Sequence, residues 1–274
     1  MSNEPKNIFM LCASLQEEEE VNALDRTQYK AQIKFDGCRV ACSKVGDEII
    51  LFNRNGNIVN YKFREVVEAF SKINKDFMID GEIIDIGDSV GGNFNLLSRR
   101  ALTKNPDKIK LLEKEIPIKF MAFDIMSSDN KSLINEPLET RFTFLKNIIQ
   151  EDTKHLQLAQ YEEIDSCLEK VIDRNGEGIV IKNMKGLYES KRSKNCYKHK
   201  LFQETTINIT GFTENNAGIR ATDEIGNAVQ ISGSQCSEVK NLIEEKGEVS
   251  ISVQYLEKTK LNKLRFISYK GLVN

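Results

Sequence analysis

Several positions in this 274-residue sequence combine residue types that do chemistry with settings where such residues are uncommon. Lys34 ends the alternating stretch Gln28-Tyr29-Lys30-Ala31-Gln32-Ile33 and leads into Phe35-Asp36-Gly37-Cys38-Arg39. Glu82 follows Asp80-Gly81, Phe123 stands in the apolar run Phe120-Met121-Ala122-Phe123, and Glu177 is bracketed by Gly176 and Gly178. Lys198 and Lys200 alternate in Tyr197-Lys198-His199-Lys200. A lysine amine with an ordinary pKa of about 10.4 is protonated at neutral pH and attacks nothing. Cations such as Lys198 and Lys200, or a divalent metal held by Glu82 and Glu177, would favour the free amine. The same groups would neutralise charge building on a phosphate under attack. Phe123 offers a flat face to a base, and the glycines let backbone approach a nucleotide closely. Taken singly, Glu82 and Glu177 read as turn residues, Phe123 as core, and the lysines as a solvated strand face. Taken together they describe covalent nucleotidyl transfer.

Strands must hold these side chains. The alternation before Lys34, the run Val40-Ala41-Cys42 and the segment Glu48-Ile49-Ile50-Leu51-Phe52 predict strands, with Asp36-Gly37 as a tight turn. Asn53-Arg54-Asn55-Gly56 closes the next hairpin and puts Arg54 on its edge. Apolar spacing of three and four across Phe63, Val66, Val67, Phe70 and Ile73 predicts a helix. Phe77 to Ile84 reads as strand, Asp-Gly turn and strand, and 87–92 as a loop. A strand over 118–125, a helix over 139–149, a short strand at 157–159, a helix over 164–172 and a strand over 179–182 follow.

Hydrophobic residues make up 40% and charged residues 29% of the chain, and the net charge is −2, as in an ordinary soluble protein. With no whole-molecule basic field, any nucleic-acid surface is local. Two stretches supply one: 99–119 carries seven Lys/Arg against three acids, and 182–200 carries seven against Glu189 alone. Arg99, Arg100, Lys191 and Arg192 are candidate nucleic-acid contacts there. The six cysteines form no C-x-x-C pair and there are two histidines, so a structural zinc site is not expected and free thiols in a reducing cytoplasm are. The apolar run Ile8 to Ala13 is too short to span a membrane, and no membrane partner is expected. After Leu201 the pattern changes to short strands with one helix near 238–245, which suits a small all-β Greek-key barrel of the OB type. The expected fold class is therefore α+β: an antiparallel-sheet nucleotidyltransferase domain over 1–202, then an OB-fold domain over 203–274.

The strings K-F-D-G-C-R, N-R-N-G, D-G-E-I-I, F-M-A-F-D-I-M, E-G-I-V-I-K and Y-K-H-K, in this order, resemble the motifs of ATP-dependent DNA ligases in the covalent nucleotidyltransferase superfamily. The resemblance is close over 28–202 and looser in the barrel. It implies that Lys34 takes AMP from ATP and releases pyrophosphate, with Gln32 near the adenine amino group. It implies that Arg39 and Glu82 hold the ribose and that Phe123 stacks on adenine. Glu82 and Glu177 would hold Mg²⁺ or Mn²⁺, and Lys182, Lys198 and Lys200 would contact the adenylate phosphate. Arg54 resembles the arginine that receives the 5′-phosphate of a nick, and Arg141 the arginine of the family's E-R-x-x-x-L. The implied partner is nicked duplex DNA, sealed by a monomer in the cytoplasm, or in a virus factory if the source is viral. A hinge near 202 would present the barrel and the DNA alternately to the cleft.

The closing family motif, R-x-D-K-like, has no clear counterpart; Arg265 and Lys270 are candidates near Lys263-Leu264-Arg265-Phe266. Without a four-cysteine zinc site or room for a latch hairpin between Gly218 and Ser232, the chain reads as a minimal ligase of viral, phage or small bacterial type. Rivals within the superfamily are an RNA ligase and an mRNA-capping guanylyltransferase. N-R-N-G and the final lysine of E-G-I-V-I-K argue against capping, and Asp36 against RNA ligase. A rival of another class is a nucleic-acid-binding OB protein with an inactive transferase domain.

Overall fold

The computed structural model describes residues 8–259, 262–265 and 267–273, so Phe266 of the expected closing strand lies outside the described residues. The chain separates into two compact units, 1–199 and 200–274.

The first unit begins with β1 (Leu11–Leu15), α1 (Glu18–Asn22), β2 (Tyr29–Ile33), β3 (Cys38–Val45) and β4 (Glu48–Asn53). It continues through α2 (Arg64–Ser71), β5 (Phe77–Asp85), α3 (Phe94–Ala101), α4 (Pro106–Glu115), β6 (Ile118–Ser128) and β7 (Lys131–Ser132). Then come α5 (Leu138–Ile148), β8 (Leu156–Leu158), α6 (Ile164–Asp173), β9 (Gly178–Asn183) and β10 (Arg192–Lys200). One sheet runs β1-β10-β9-β2; the larger runs β4-β3-β5-β6-β7, with β8 also paired to β6. Period-2 alternation turns Ile79 and Ile83 of β5, and Phe120 and Ala122 of β6, into a core shared with Phe70 of α2 and Leu145 of α5. The opposite face of these strands is left to carry Glu82 and Phe123.

Two pairings depart from the expected antiparallel pattern. β6 and β8 are parallel because α5 intervenes as a crossover, which a tight turn cannot provide. β1 and β10 are also parallel, with a bulge between Cys12 and Ala13. That pairing brings Cys12 and Cys196 to a Cα separation of 4.6 Å, and the two are joined as a disulfide. The expectation of free thiols is corrected for this pair; Cys38, Cys42, Cys167 and Cys236 are free.

Neither Asp-Gly pair is the hairpin turn that its dipeptide suggests. Lys34 to Gly37 carries the chain from β2 in one sheet to β3 in the other. Gly37 is there for close approach: a Cβ on it would lie 2.2 Å from the Ile83 carbonyl oxygen. Asp80-Gly81 lies inside the continuous strand β5, at a register shift against β6, and a Cβ on Gly81 would meet the Phe120 ring at 2.2 Å.

The second unit holds β11 (Gln203–Asn215), β12 (Gly218–Asp223), β13 (Ala228–Ile231), α7 (Gln235–Lys246) and β14 (Val249–Tyr255), then β15 (Glu257–Lys258), β16 (Leu264–Arg265) and β17 (Ser268–Leu272). Its main sheet runs β13-β12-β11-β14-β17, and the two edge strands β13 and β17 approach each other, so the sheet curls. Ile209, Ile219, Val229, Ile251 and Val253 fill the inside beneath Val239 of α7. Among the described residues no helix is long and apolar enough to cross a membrane.

Candidate active site

Lys34 leaves β2 where that strand pairs with the start of β9, Ile33 opposite Ile179. The Lys34 N–H donates to the Gly178 carbonyl at 2.9 Å, which sets the lysine beside the residue before β9. There its ammonium Nζ lies 2.5 Å from Glu177 Oε2, with side-chain exposures of 20% and 11%. Asp36 anchors the turn from the other side. Its N–H donates to the Gly91 carbonyl at 2.9 Å, and its carboxylate accepts from the Phe94 N–H at 3.0 Å. The loop over 87–93 and the start of α3 are thereby tied to the lysine turn.

The β3–β5 register puts Arg39 opposite Glu82. The Arg39 guanidinium grips Asp80 through Nε at 3.0 Å and Nη2 at 2.6 Å, and its Nη1 donates to the Met10 carbonyl at 2.7 Å. It also stands over two aromatic rings, 5.0 Å from the Phe9 centroid and 5.4 Å from that of Phe123. Arg39 is therefore largely committed to the protein, and its contact with the site is with the Phe123 ring. Tyr188 completes the cluster by donating to Asp80 at 2.7 Å. Burial pushes the Glu82 carboxyl up to about 8; Arg39 and Lys34 pull it down, while Asp80 and Glu177 push it further up. Glu82 thus feels both members of the Lys34–Glu177 pair.

Phe123 receives a second cation. Lys182 Nζ lies 4.4 Å from its centroid, 5.6 Å from that of Tyr161 and 3.9 Å from Asp124 Oδ2. Burial lowers the Lys182 ammonium to about 8, against the pull of Asp124 and Asp80. Asp124 is itself held by the buried Arg141, at 2.7 Å and 2.9 Å, and Arg141 Nη1 also donates to the Glu136 and Gly186 carbonyls. Arg141 is thus a buried clamp between α5, β6 and the segment after β9. Gln32 is buried and donates through Nε2 to the Ala159 carbonyl at 2.7 Å.

The fold therefore brings together Lys34, Glu177, Glu82, Arg39, Phe123, Lys182 and Gln32. Lys198 lies in β10 opposite Ser14 of β1, and Lys200 ends that strand as the first residue of the second unit. Arg54 is exposed just past Asn53, which pairs with Val40, so its turn lies at the Arg39 end of the β3–β4 hairpin. Among the described residues no group of three or more His, Cys, Asp or Glu could hold a metal ion. The sequence strings already contained Asp80 and Asp124 without marking them. Nothing local marked Tyr161 or Tyr188, because their partners lie far away in the chain.

Of the expected DNA contacts, Arg99 is exposed and pairs with Glu115 at 3.0 Å, and Lys191 is exposed and pairs with Glu189 at 3.1 Å. Arg192 is exposed and donates to the Cys12 carbonyl at 2.6 Å. Arg100 is a correction: it is fully buried and cannot reach DNA. Both its terminal nitrogens meet Glu65 at 2.6 Å, and it also donates to the Lys62 and Ile116 carbonyls. The basic run over 99–119 takes in the end of α3 and the whole of α4, and the periodicity of α3 turns Arg100 inward while Arg99 faces out.

Residues 9–200 match the family described as ATP dependent DNA ligase domain. The bifunctional non-homologous end joining protein LigD of Bacillus subtilis is 30% identical over 208 residues, which is 69% of this chain and 34% of that protein. A DNA ligase of Saccharolobus shibatae is 29% identical over 156 residues, 54% of this chain and 26% of that one. The chain thus spans between a quarter and about a third of these relatives' length. Its fold is similar to a solved structure from a structure-function study of Lig E DNA ligases, with a TM-score of 0.69 at 17% identity over 97% of this chain and 98% of the other. With seven-tenths of its length inside the matched region, the chain belongs to the ATP-dependent DNA ligase domain family.

Proposed function

We propose that the chain seals nicks in duplex DNA at the expense of ATP, through an adenylate carried on Lys34. The observation that carries this reading is the Lys34 amine, 2.5 Å from the Glu177 carboxylate, in a cluster that Glu82 and Arg39 connect to the Phe123 ring and Lys182. The amine nitrogen attacks the α-phosphorus of ATP, the N–P bond forms, the bond to the β-phosphate oxygen breaks and pyrophosphate leaves. Glu177 is the nearest acceptor for the proton the amine must lose. The AMP then passes to the 5′-phosphate of the nick and regenerates the lysine. The 3′-hydroxyl displaces AMP and closes the phosphodiester.

Phe123 stacks on adenine and Gln32 lies beside it, with Glu82 toward the ribose. Arg39 holds the Phe123 ring and Asp80 in place. Lys182, Lys198 and Lys200 meet the adenylate phosphate, and Arg54 meets the 5′-phosphate. Glu82 and Glu177 suit a magnesium or manganese ion: both act on the same lysine, and magnesium takes one or two carboxylates plus substrate phosphates. When bound, the ion supplies charge neutralisation at those phosphates.

The transferase domain runs through 202, and the second unit is an OB-type barrel, supported by its curled five-stranded sheet with α7 between β13 and β14. The protein works as a monomer on nicked DNA in the cytoplasm. Its affinity comes from exposed cations, among them Arg99, Lys108, Lys114, Lys191 and Arg192. The deciding experiment offers radiolabelled ATP, GTP or NAD with Mg²⁺ to the wild type and to Lys34→Ala, then a singly nicked duplex. Label from ATP on Lys34, absent in the variant, followed by sealing, is expected. Label from GTP instead, or none, defeats the reading.

A further inference from the structure

Four residues that belong to no motif, Ala159 to Glu162, join the two sheets of the first unit. On one side, the Ala159 N–H donates to the Ala122 carbonyl at 2.8 Å, one residue before Phe123. The Tyr161 hydroxyl donates to the carbonyl of Phe123 itself at 3.0 Å. On the other side, Ala31 and Glu162 exchange backbone hydrogen bonds, each at 2.9 Å, three residues before Lys34. The side chain of Gln32 donates to the Ala159 carbonyl at 2.7 Å. The same short segment is thus bonded to the strand bearing the aromatic platform and to the strand bearing the nucleophile.

Tyr161 reaches Phe123 itself on the platform side. Its ring stands edge-on to Phe142 of α5, with centroids 4.8 Å apart, so the core holds it in place. Its ring also lies 5.6 Å from Lys182 Nζ, on the ammonium that sits over Phe123. Its hydroxyl is therefore a rigid strut from the helical layer to the backbone of Phe123. Phe123 falls at the register shift between β5 and β6, where Asp80 pairs with Asp124 and Gly81 with Ala122, so its carbonyl's bond to the Tyr161 side chain bears on where Phe123 sits.

Resting on the ligase reading above, we infer that Tyr161 is a positioning residue for ATP: through segment 159–162 it sets the gap between Phe123 on β6 and Lys34 at the end of β2. Tyr161 touches no reacting atom. It acts on nucleotide binding by holding the stacking ring at the correct distance from the amine.

Tyr161→Phe keeps the ring and its edge contact with Phe142 but removes the strut to the Phe123 carbonyl. The half-saturating ATP concentration for lysyl-AMP formation is expected to rise roughly 5- to 10-fold, as for the loss of one buried hydrogen bond. The maximal rate of that step falls less, and KM for nicked DNA is unchanged. Tyr161→Leu, which also removes the ring, should weaken ATP use further, so that phenylalanine restores part of what leucine loses. If Tyr161→Phe matches the wild type in ATP dependence, the inference is overturned. It is also overturned if the ATP and nick constants rise together, since that marks general damage to the fold. Thermal melting of each variant accompanies the kinetics, and should Tyr161→Leu unfold, Tyr161→Phe decides alone. A wild type that forms no lysyl-AMP overturns the ligase reading and this inference with it. An active wild type beside an indifferent variant overturns this inference only.

Discussion

The Lys182 ammonium lies 4.4 Å from the centre of the Phe123 ring and 3.9 Å from the Asp124 carboxylate, buried next to both. The face offered to a base and a cation suited to a phosphate are therefore in contact before any nucleotide arrives. On the proposed reading, a base stacked on Phe123 would share that ring with Lys182, and the ammonium would move to the phosphate that the base brings with it.

A buried ammonium costs stability, so Lys182→Met should raise stability and, on the proposed reading, lower ATP affinity at the same time. Burial holds the folded-state ammonium at about 8, below its unfolded value of about 10.4. Between those two values the unfolded chain keeps a proton that the folded chain has lost, so stability rises with pH across that window. Below about pH 8 both states are protonated and the penalty is constant. Lys182→Met should flatten the rise and add roughly 1–3 kcal/mol near neutral pH, because Asp124 keeps Arg141 as its partner. Urea melts from neutral to alkaline pH measure both effects, and a variant that keeps the wild-type slope removes Lys182 as its source.

Glu177→Gln preserves a hydrogen-bond acceptor at Lys34 but removes the proton acceptor and half of the carboxylate pair. Single-turnover lysyl-AMP formation should slow by roughly 100- to 1000-fold, in the range of lost general-base catalysis. A loss of only a few-fold would leave Glu177 as a structural partner of the lysine.

Gly37→Ala would place a methyl group 2.2 Å from the Ile83 carbonyl, at the entry to the β3–β5 pairing that sets Arg39 opposite Glu82. The strands must part to admit it. Thermal unfolding should show a loss of about 1–3 kcal/mol, and adenylation should fall by more than the unfolded fraction explains. An alanine variant with wild-type stability and rate would show that the junction yields freely.

On the proposed reading, Arg100 and its helical neighbours separate charge for folding from charge for DNA. Arg100→Ala leaves Glu65 without its buried partner and should cost about 3–5 kcal/mol, with no change in the salt dependence of nick binding by the folded protein. Lys108→Ala and Lys114→Ala should leave stability nearly intact, while each lowers the slope of log affinity against log salt by about one. Fluorescence titration of a nicked duplex at several salt concentrations distinguishes the two classes. A reduced slope in Arg100→Ala would return that residue to the DNA surface.

The residues proposed to carry the chemistry stand out locally, and so could be picked from the sequence. Lys34, Glu82, Phe123, Glu177 and Lys182 each sit at a strand position where type and neighbours agree, and periodicity puts them on strand faces or ends. Which charges are spent inside was not visible. Arg99 and Arg100 are adjacent and chemically identical, and only the packing of α3 against Lys62 and Glu65 decides that one is solvent-exposed and the other a clamp. Cys12 and Cys196 are separated by 184 positions, and their joining depends on a parallel pairing that no local pattern encodes. The bridge at 159–162 is hidden for the same reason: its hydrogen bonds run to Ala31, Gln32, Ala122 and Phe123, partners chosen by the meeting of two sheets. Residue types and their periodicity determined which groups could react; the spacing between those groups, and which cations remained for substrate, were settled by long-range backbone pairing and burial.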